Sequence, residues 1–225
     1  MGHLARMLPI AHALAVRNHQ VVFFVCNPQE CSQTIVKEKL PVLPVMNIKS
    51  NIPEVRTQPR YNSYSDFMAV AGGCYIEHLY TVTLSWKTVF DIYKPDLIIC
   101  DFSPNCCLAA FGRIPVVLMG DGFTLPPAHE PIFPVTRGVS PVIDPDRLLE
   151  NMHIVQKMHG HKIPHTITEP FQTAARLFCT LPELDHYPLM RRDTVGSLRK
   201  PRNQGLRPRQ KRSLHQVNEH FAEGA

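Results

Sequence analysis

Two residues have side chain types and positions suited to proton transfer, His3 and Asp101. Asp101 directly follows an apolar run that predicts a strand, and ligands of open parallel sheets bind beyond the carboxyl ends of the strands. His3 begins a predicted helix, whose N-terminus points to the same edge if a strand precedes it. A carboxylate beside an imidazole fixes its tautomer and stabilises the imidazolium that forms when the ring takes a proton. The pair therefore suits removal of a proton from an acceptor hydroxyl.

The residues alone leave simpler interpretations open for both positions. Asp101 is also compatible with an ordinary turn, and His3 with a histidine near the start of the chain that has no role. The sequence contains no P-loop, no G-x-G-x-x-G and no G-x-S-x-G, so common nucleotide motifs and a hydrolase elbow are absent. The histidines at 159, 161 and 165 are irregularly spaced, which favours solvated side chains over a metal site.

Alternating apolar runs and helical patterns indicate the elements that position this pair. Continuous apolar runs predict buried strands at 21–26, 41–46, 96–100, 114–119 and 176–181. Helices are predicted between most of them, among them a long stretch over 64–93 that is broken at Gly72–Gly73. Loops are expected over 47–61 and in the proline-rich segment 124–145, and Ser103 is expected to cap a helix beginning at Pro104. The alternation predicts an α/β fold with a doubly wound, Rossmann-like parallel sheet.

Composition and charge indicate a globular body followed by a basic tail. The chain has 225 residues and is 44% hydrophobic, which is enough for a sizeable core, and no apolar run reaches the ~18 residues of a membrane-spanning helix. Residues 191–225 carry nine Lys and Arg against three acids, whereas the other 190 residues carry 15 bases and 16 acids. We expect one domain over 1–193 and a disordered basic tail over 194–225.

The seven cysteines are an odd number and include no C-x-x-C pair. They are expected to be reduced, buried thiols in a cytoplasmic protein. No ligand spacing indicates a zinc site, so no metal is expected.

Four segments, in order, resemble motifs of GT-B glycosyltransferases of the UDP-glycosyltransferase type. They are G-H-L-A-R-M-L-P-I-A-H-A-L at 2–14, K-P-D-L-I-I-C-D-F at 94–102, R-I-P-V-V-L at 113–118 and T-L-P-E-L-D at 180–185. The resemblance covers roughly residues 2–192 and implies the N-terminal, acceptor-binding half of a GT-B fold.

The resemblance implies an activity and assigns roles to the pair. The family moves a sugar from a nucleotide-sugar, here a UDP- or dTDP-sugar, to a hydroxyl of a small lipophilic acceptor. Its motif histidine removes the hydroxyl proton and its aspartate orients that histidine, which maps these roles onto His3 and Asp101. The segments 61–75 and 123–141 would line the acceptor pocket, and neither a cofactor nor a metal would be needed.

The sequence departs from the family pattern in two ways. The family has a strand before the G-H motif, so that first strand is expected to be missing here, leaving a hydrophobic gap between neighbouring strands. The donor-binding second domain also has no counterpart, so a separate donor-binding subunit is one expectation. A truncated, inactive fragment or an acceptor-binding module is the alternative. Nucleic-acid binding through the tail is not expected, because no aromatic or folded recognition motif accompanies its charges.

Overall fold

The computed structural model describes residues 2–39, 41–56, 61–136, 138–173 and 175–191. The segment 194–225 lies outside these residues, so its expected disorder and the expected domain boundary stay predictions. Among the described residues, no helix is both long and apolar enough to cross a membrane.

The strands are short and all pair in parallel. They are β1 (Phe23–Val25), β2 (Val42–Pro44), β3 (Ile98–Asp101), β4 (Val116–Gly120) and β5 (Ala175–Phe178). In the described part of the chain, β1 pairs with β2 in one sheet, and β3, β4 and β5 pair in that order in a second sheet. The α/β class with parallel strands is therefore confirmed, but the strands form two sheets rather than one continuous one.

Helices connect the strands and flank the sheets. They are α1 (Gly2–Val16), α2 (Pro28–Glu38), α3 (Pro53–Arg56), α4 (Tyr64–Met68), α5 (Ile76–Tyr93), α6 (Pro104–Ala110) and α7 (Pro145–His159). A π-helical turn, Ala69–Gly73, joins α4 to α5, and Gly72 in it has φ of +108°, a conformation that favours glycine. This confirms the predicted break in the long helical stretch.

The larger hydrophobic core lies between the three-stranded sheet and helices α5, α6 and α7. It contains fully buried side chains such as Val82, Leu108, Leu118 and Leu148. A smaller cluster packs Leu4 and Ala11 of α1 against Phe23 of β1. Helix α1 thus has its own apolar contact with β1, while its first turn is free to approach the end of β3.

Helix α6 begins at Pro104 with Ser103 at its N-cap position, as predicted, but the Ser103 side chain makes no capping hydrogen bond. Other local predictions were wrong. The segment expected to be a loop over 47–61 contains the short helix α3. Cys26, which directly follows β1, is exposed and Cys31 is only partly buried, although both were expected to be buried. The cysteines at 74, 100, 106, 107 and 179 are buried free thiols as expected.

Candidate active site

Four charged or titratable side chains meet at the carboxyl end of the three-stranded sheet. Asp101 is the last residue of β3, and Asp121 follows the last residue of the neighbouring strand β4. His3 and Arg6 lie three residues apart in α1, which places them on the same face of that helix. We call His3, Arg6, Asp101 and Asp121 the carboxyl-edge cluster.

The structure brings the two sequence-predicted residues into direct contact. His3 Nδ1 lies 2.8 Å from Asp101 Oδ1, and the Asp101 side chain is only 3% exposed whereas that of His3 is 50% exposed. A carboxylate at this distance requires a proton between the two atoms, so we assign the Nδ1–H tautomer, in which Nδ1 donates to Asp101. No described residue hydrogen-bonds to Nε2, so its lone pair is available at the surface of the site.

The Phe102 ring packs on the face of the His3 imidazole. The two rings stack at a centroid distance of 5.7 Å and an interplanar angle of 8°. Phe102 has φ of 55°, a left-handed conformation that costs a bulky residue on the order of 1 kcal/mol or more. Backbone strain of this kind persists only where the surrounding structure stabilises the conformation. Phe102 directly follows Asp101 in the chain, and in this conformation its ring packs against His3.

Arg6 binds both carboxylates of the cluster. Its Nε donates to Asp101 Oδ2 at 3.0 Å and its Nη2 to Asp101 Oδ1 at 3.1 Å, while its Nη1 donates to Asp121 Oδ2. Burial lowers the pKa of the Arg6 guanidinium, but hydrogen bonds and attraction to the two carboxylates outweigh it and raise the pKa above its ordinary value. The arginine is therefore a fixed positive charge beside the imidazole.

A tight turn after β4 fixes Asp121. The Thr124 hydroxyl donates to Asp121 Oδ1 at 2.9 Å and accepts from the Asp121 backbone N–H at 2.9 Å. Burial raises the pKa of Asp121, but hydrogen bonds from Arg6 and Thr124 outweigh it and lower the pKa below its ordinary value. A side chain at Gly120 would place its Cβ 2.6 Å from Thr124 Oγ1, so this turn needs glycine there.

The last described residues pack over the same edge. Arg191 lies over the Phe178 ring at 3.3 Å from its centroid, forms a 3.1 Å ion pair with Asp185, and donates to the Gly122 carbonyl at 2.8 Å. Burial lowers the pKa of Arg191 to about 10, and attraction to Asp185 opposes that shift. This contact ties the segment that follows β5 to the turn that carries Asp121.

Aromatic side chains form one wall beside His3. Phe67 stacks on Phe102 at 3.9 Å, and Tyr61 stacks on Phe123 at 6.0 Å. Tyr61 and Phe67 come from one segment that the resemblance placed at the acceptor pocket, and Phe123 comes from the other. The structure therefore brings parts of both segments together next to the predicted pair.

Sequence reasoning missed Arg6 and Asp121 as members of the site. A signal for Asp121 was present, since it follows an apolar strand as Asp101 does. Arg6 stood inside the quoted helix motif three residues after His3, the spacing that puts two side chains on one helix face.

A second charged cluster lies at the opposite edge, where helices lead into β3, β4 and β5. It consists of Lys87, Asp91, Arg113, His159 and His161, and we call it the amino-edge cluster. The two histidines were expected to be solvated and are instead partly buried and stacked at 5.4 Å. Burial, followed by repulsion from nearby cations, lowers the pKa of each.

The described residues contain no group of three His, Cys, Asp or Glu side chains placed to hold a metal ion. His159 Nε2 instead hydrogen-bonds with the Thr83 hydroxyl at 2.9 Å, and because that hydroxyl donates to the Leu79 carbonyl at 2.7 Å, Nε2–H is the donor. The His159 ring also stacks on Tyr80 at 4.6 Å. These contacts make the amino-edge cluster a packing and ion-pair site.

No protein-family model matches the sequence, and no curated protein matches it. Several solved structures resemble the chain. The glycosyltransferase SsfS6 of Streptomyces sp. SF2575 is 15% identical with a TM-score of 0.47, over 85% of this chain and 49% of that one. The spinosyn rhamnosyltransferase SpnG, complexed with thymidine diphosphate, is 15% identical with a TM-score of 0.49, over 86% of this chain and 46% of that one.

A structure of SsfS6 complexed with thymidine diphosphate is 17% identical with a TM-score of 0.44, over 85% of this chain and 48% of that one. The chain thus spans about half the length of the structures it resembles. These structures belong to the class of proteins that the sequence motifs resemble, the glycosyltransferases.

Proposed function

We propose that this chain supplies the acceptor-binding half and the catalytic base of a glycosyltransferase. The reaction would move a sugar from a UDP- or dTDP-sugar to a hydroxyl of a small lipophilic acceptor. The observation that carries the proposal is the 2.8 Å contact between His3 Nδ1 and the buried Asp101, which leaves Nε2 open at the carboxyl edge of the sheet.

In this proposal His3 acts as the general base. Its Nε2 takes the proton of the acceptor hydroxyl while the hydroxyl oxygen bonds to the anomeric carbon of the sugar. The bond from that carbon to the nucleotide diphosphate breaks, and its electron pair leaves with the diphosphate. A single displacement of this kind inverts the configuration at the anomeric carbon. Asp101 stabilises the imidazolium through Nδ1–H and keeps the ring in its productive orientation.

The aromatic wall beside His3 supports a lipophilic acceptor. The Phe67, Phe102, Tyr61 and Phe123 rings are all only partly buried, and Phe102 contacts the His3 ring directly. An apolar body resting on such rings would place a polar hydroxyl toward the imidazole, which is how ligand sites combine apolar walls with few polar groups.

The donor class rests on the motif resemblance rather than on a donor site in the described residues. We propose that a separate donor-binding subunit binds the nucleotide-sugar and completes the site, and that the reaction takes place in the cytoplasm without a resident metal. Turnover that survives treatment with a chelator would support the last point, and turnover lost to the chelator and restored by a divalent cation would contradict it.

The proposal is tested by product formation. The full chain is assayed with UDP- and dTDP-sugars and hydroxylated aromatic acceptors, alone and with candidate donor-binding subunits, and glycosylated acceptor is detected by mass spectrometry. Where turnover is found, His3→Ala should reduce kcat by about 10²–10⁴-fold, the usual contribution of general base catalysis.

His12→Ala is the matched control for that assay. His12 lies on the same helix, its side chain is 55% exposed against 50% for His3, and its partner is Glu38, outside the site. It should retain full turnover. Retained turnover in His3→Ala would remove His3 from the reaction, and acceptor binding without turnover under every donor condition would favour the acceptor-binding module.

A further inference from the structure

Arg6 contacts the histidine–aspartate pair but is not itself required for proton transfer between an acceptor hydroxyl and a histidine. Its side chain is 15% exposed, and it binds Asp101 through Nε and Nη2 while Nη1 reaches Asp121. Its Nη2 also lies 3.1 Å from His3 Nδ1. One guanidinium thus touches the other three members of the carboxyl-edge cluster.

The charges that face His3 come from three elements. Helix α1 contributes Arg6, strand β3 contributes Asp101, and the turn after β4 contributes Asp121. The thiol of Cys179, after β5, lies near the same carboxylates, and burial raises its pKa so that it stays neutral. The cluster therefore places one positive and two negative side chains around the imidazole.

The balance of these charges sets how readily the imidazole takes a proton before the reaction. Two carboxylates without a cation would favour the imidazolium, and a protonated Nε2 cannot act as a base. A guanidinium between them cancels one negative charge at contact distance. Its fork also fixes the plane of the Asp101 carboxylate, so that Oδ1 faces Nδ1.

We propose that Arg6 is a positioning residue that orients Asp101 and keeps His3 neutral, with Asp121 as the opposing charge that tunes this effect. The role as part of a reaction rests on the proposed function, but the electrostatic effect on His3 does not. The proposal predicts that removal of the Arg6 charge makes His3 easier to protonate.

The test follows the protonation of His3 in the full chain by NMR of ¹⁵N-histidine-labelled protein, without need of turnover. Arg6→Gln should raise the pH at which His3 is half protonated by about one unit, since an adjacent like charge is lost. Asp121→Asn should lower that pH, because it removes a negative charge near His3 and leaves Asp101 as the carboxylate that pairs with Arg6. Arg6→Lys keeps the charge, so its midpoint should lie closer to wild type than that of Arg6→Gln.

Arg17→Gln is the control, because Arg17 directly follows the same helix, is exposed, and donates to the Ala13 carbonyl, away from the carboxyl-edge cluster. It should leave the His3 midpoint unchanged. Shifts of opposite sign in Arg6→Gln and Asp121→Asn support the proposal, and shifts of the same sign or none overturn it. If Arg6→Gln does not fold, Asp121→Asn decides: a lower midpoint supports the proposal, and an unchanged or higher one overturns it.

These outcomes separate the two proposals. Opposite shifts with no sugar transfer under any condition would leave the electrostatic role of Arg6 standing and contradict the proposed function. Sugar transfer that depends on His3, with no shift of the His3 midpoint in Arg6→Gln or Asp121→Asn, would support the proposed function and overturn the electrostatic role of Arg6.

Discussion

The two edges of the three-stranded sheet carry histidines in opposite electrostatic settings. At the carboxyl edge His3 contacts a carboxylate that is 3% exposed and leaves one ring nitrogen free. At the amino edge His159 and His161 are stacked and partly buried near Lys87 and Arg113, and burial lowers the pKa of both. The same type of side chain thus lies against a buried carboxylate at one edge and near cations at the other.

The carboxylates at the two edges differ in burial. Asp101 is buried with Arg6 and His3, whereas Asp91 at the amino edge is 45% exposed while it pairs with Lys87 and Arg113. Breaking a buried pair is costly because it leaves an uncompensated charge, and an exposed pair contributes little in water. The comparison implies that, of these two clusters, the ion pairs of the carboxyl-edge cluster contribute more to the free energy of unfolding.

The largest expected effect follows from removing the buried carboxylate charge. Asp101→Asn leaves the largely buried Arg6 without its principal partner and should reduce the free energy of unfolding by about 3 kcal/mol. Urea denaturation followed by circular dichroism measures this loss. A loss below about 1 kcal/mol would show that the two edges do not differ in the way described.

The second prediction compares one glycine from each edge. Gly120→Ala would place a Cβ 2.6 Å from Thr124 Oγ1 and 3.0 Å from Leu125 Cβ, so we expect a loss of about 2 kcal/mol. Gly160 at the end of α7 has open space around it but φ of +67°, so Gly160→Ala should lose only about 1 kcal/mol, from backbone strain. Equal losses in urea denaturation would contradict the packing argument for the turn that carries Asp121.

Sequence reasoning reached the contact between His3 and Asp101 for two reasons. Parallel strands bring their carboxyl ends to one edge, which left the pair as one of several interpretations, and the motif resemblance then favoured the pair. It did not reach Arg6, whose role depends on which face of α1 meets β3, a matter of packing between distant segments. It also misjudged His159 and His161, because the polar sequence around them gave no sign that α5 and α7 pack closely there. Short-range patterns thus predicted most of the elements, whereas contacts between distant segments were missed.

The errors in local structure have a related cause. Ser103 has the residue type of a helix cap and occupies the N-cap position of α6, but its ψ of 77° lies outside the extended conformation typical of a capping residue, and its side chain makes no capping bond. The loop expected over 47–61 contains α3, where Val55 is buried in the core, so tertiary packing stabilised a helix that the polar sequence did not indicate.

The third prediction concerns the pH dependence of stability at the amino edge. Because the pKa values of His159 and His161 are lowered in the folded state, the unfolded chain binds more protons as the pH falls through about 6.5. Stability should therefore be full above this pH and decrease below it. His161→Phe should show a smaller loss of unfolding free energy on acidification than wild type. An unchanged or larger loss would contradict the assignment.

The smallest expected effect is at the exposed carboxylate of the amino edge. Asp91→Asn removes the ion pairs with Lys87 and Arg113 and should change the free energy of unfolding by less than about 1 kcal/mol. The difference should shrink further at high salt, because exposed charges are screened. A loss as large as that of Asp101→Asn would remove the distinction between the two edges.

The most direct test of the account is the tautomer of His3 in the full wild-type chain, read from ¹⁵N chemical shifts of its ring. The measurement is made at about pH 8, where histidine is ordinarily neutral. We predict a proton on Nδ1, toward Asp101, and a bare Nε2 that faces the site. A proton on Nε2 would mean that the imidazole presents a donor instead of a base, and would contradict the role proposed for it.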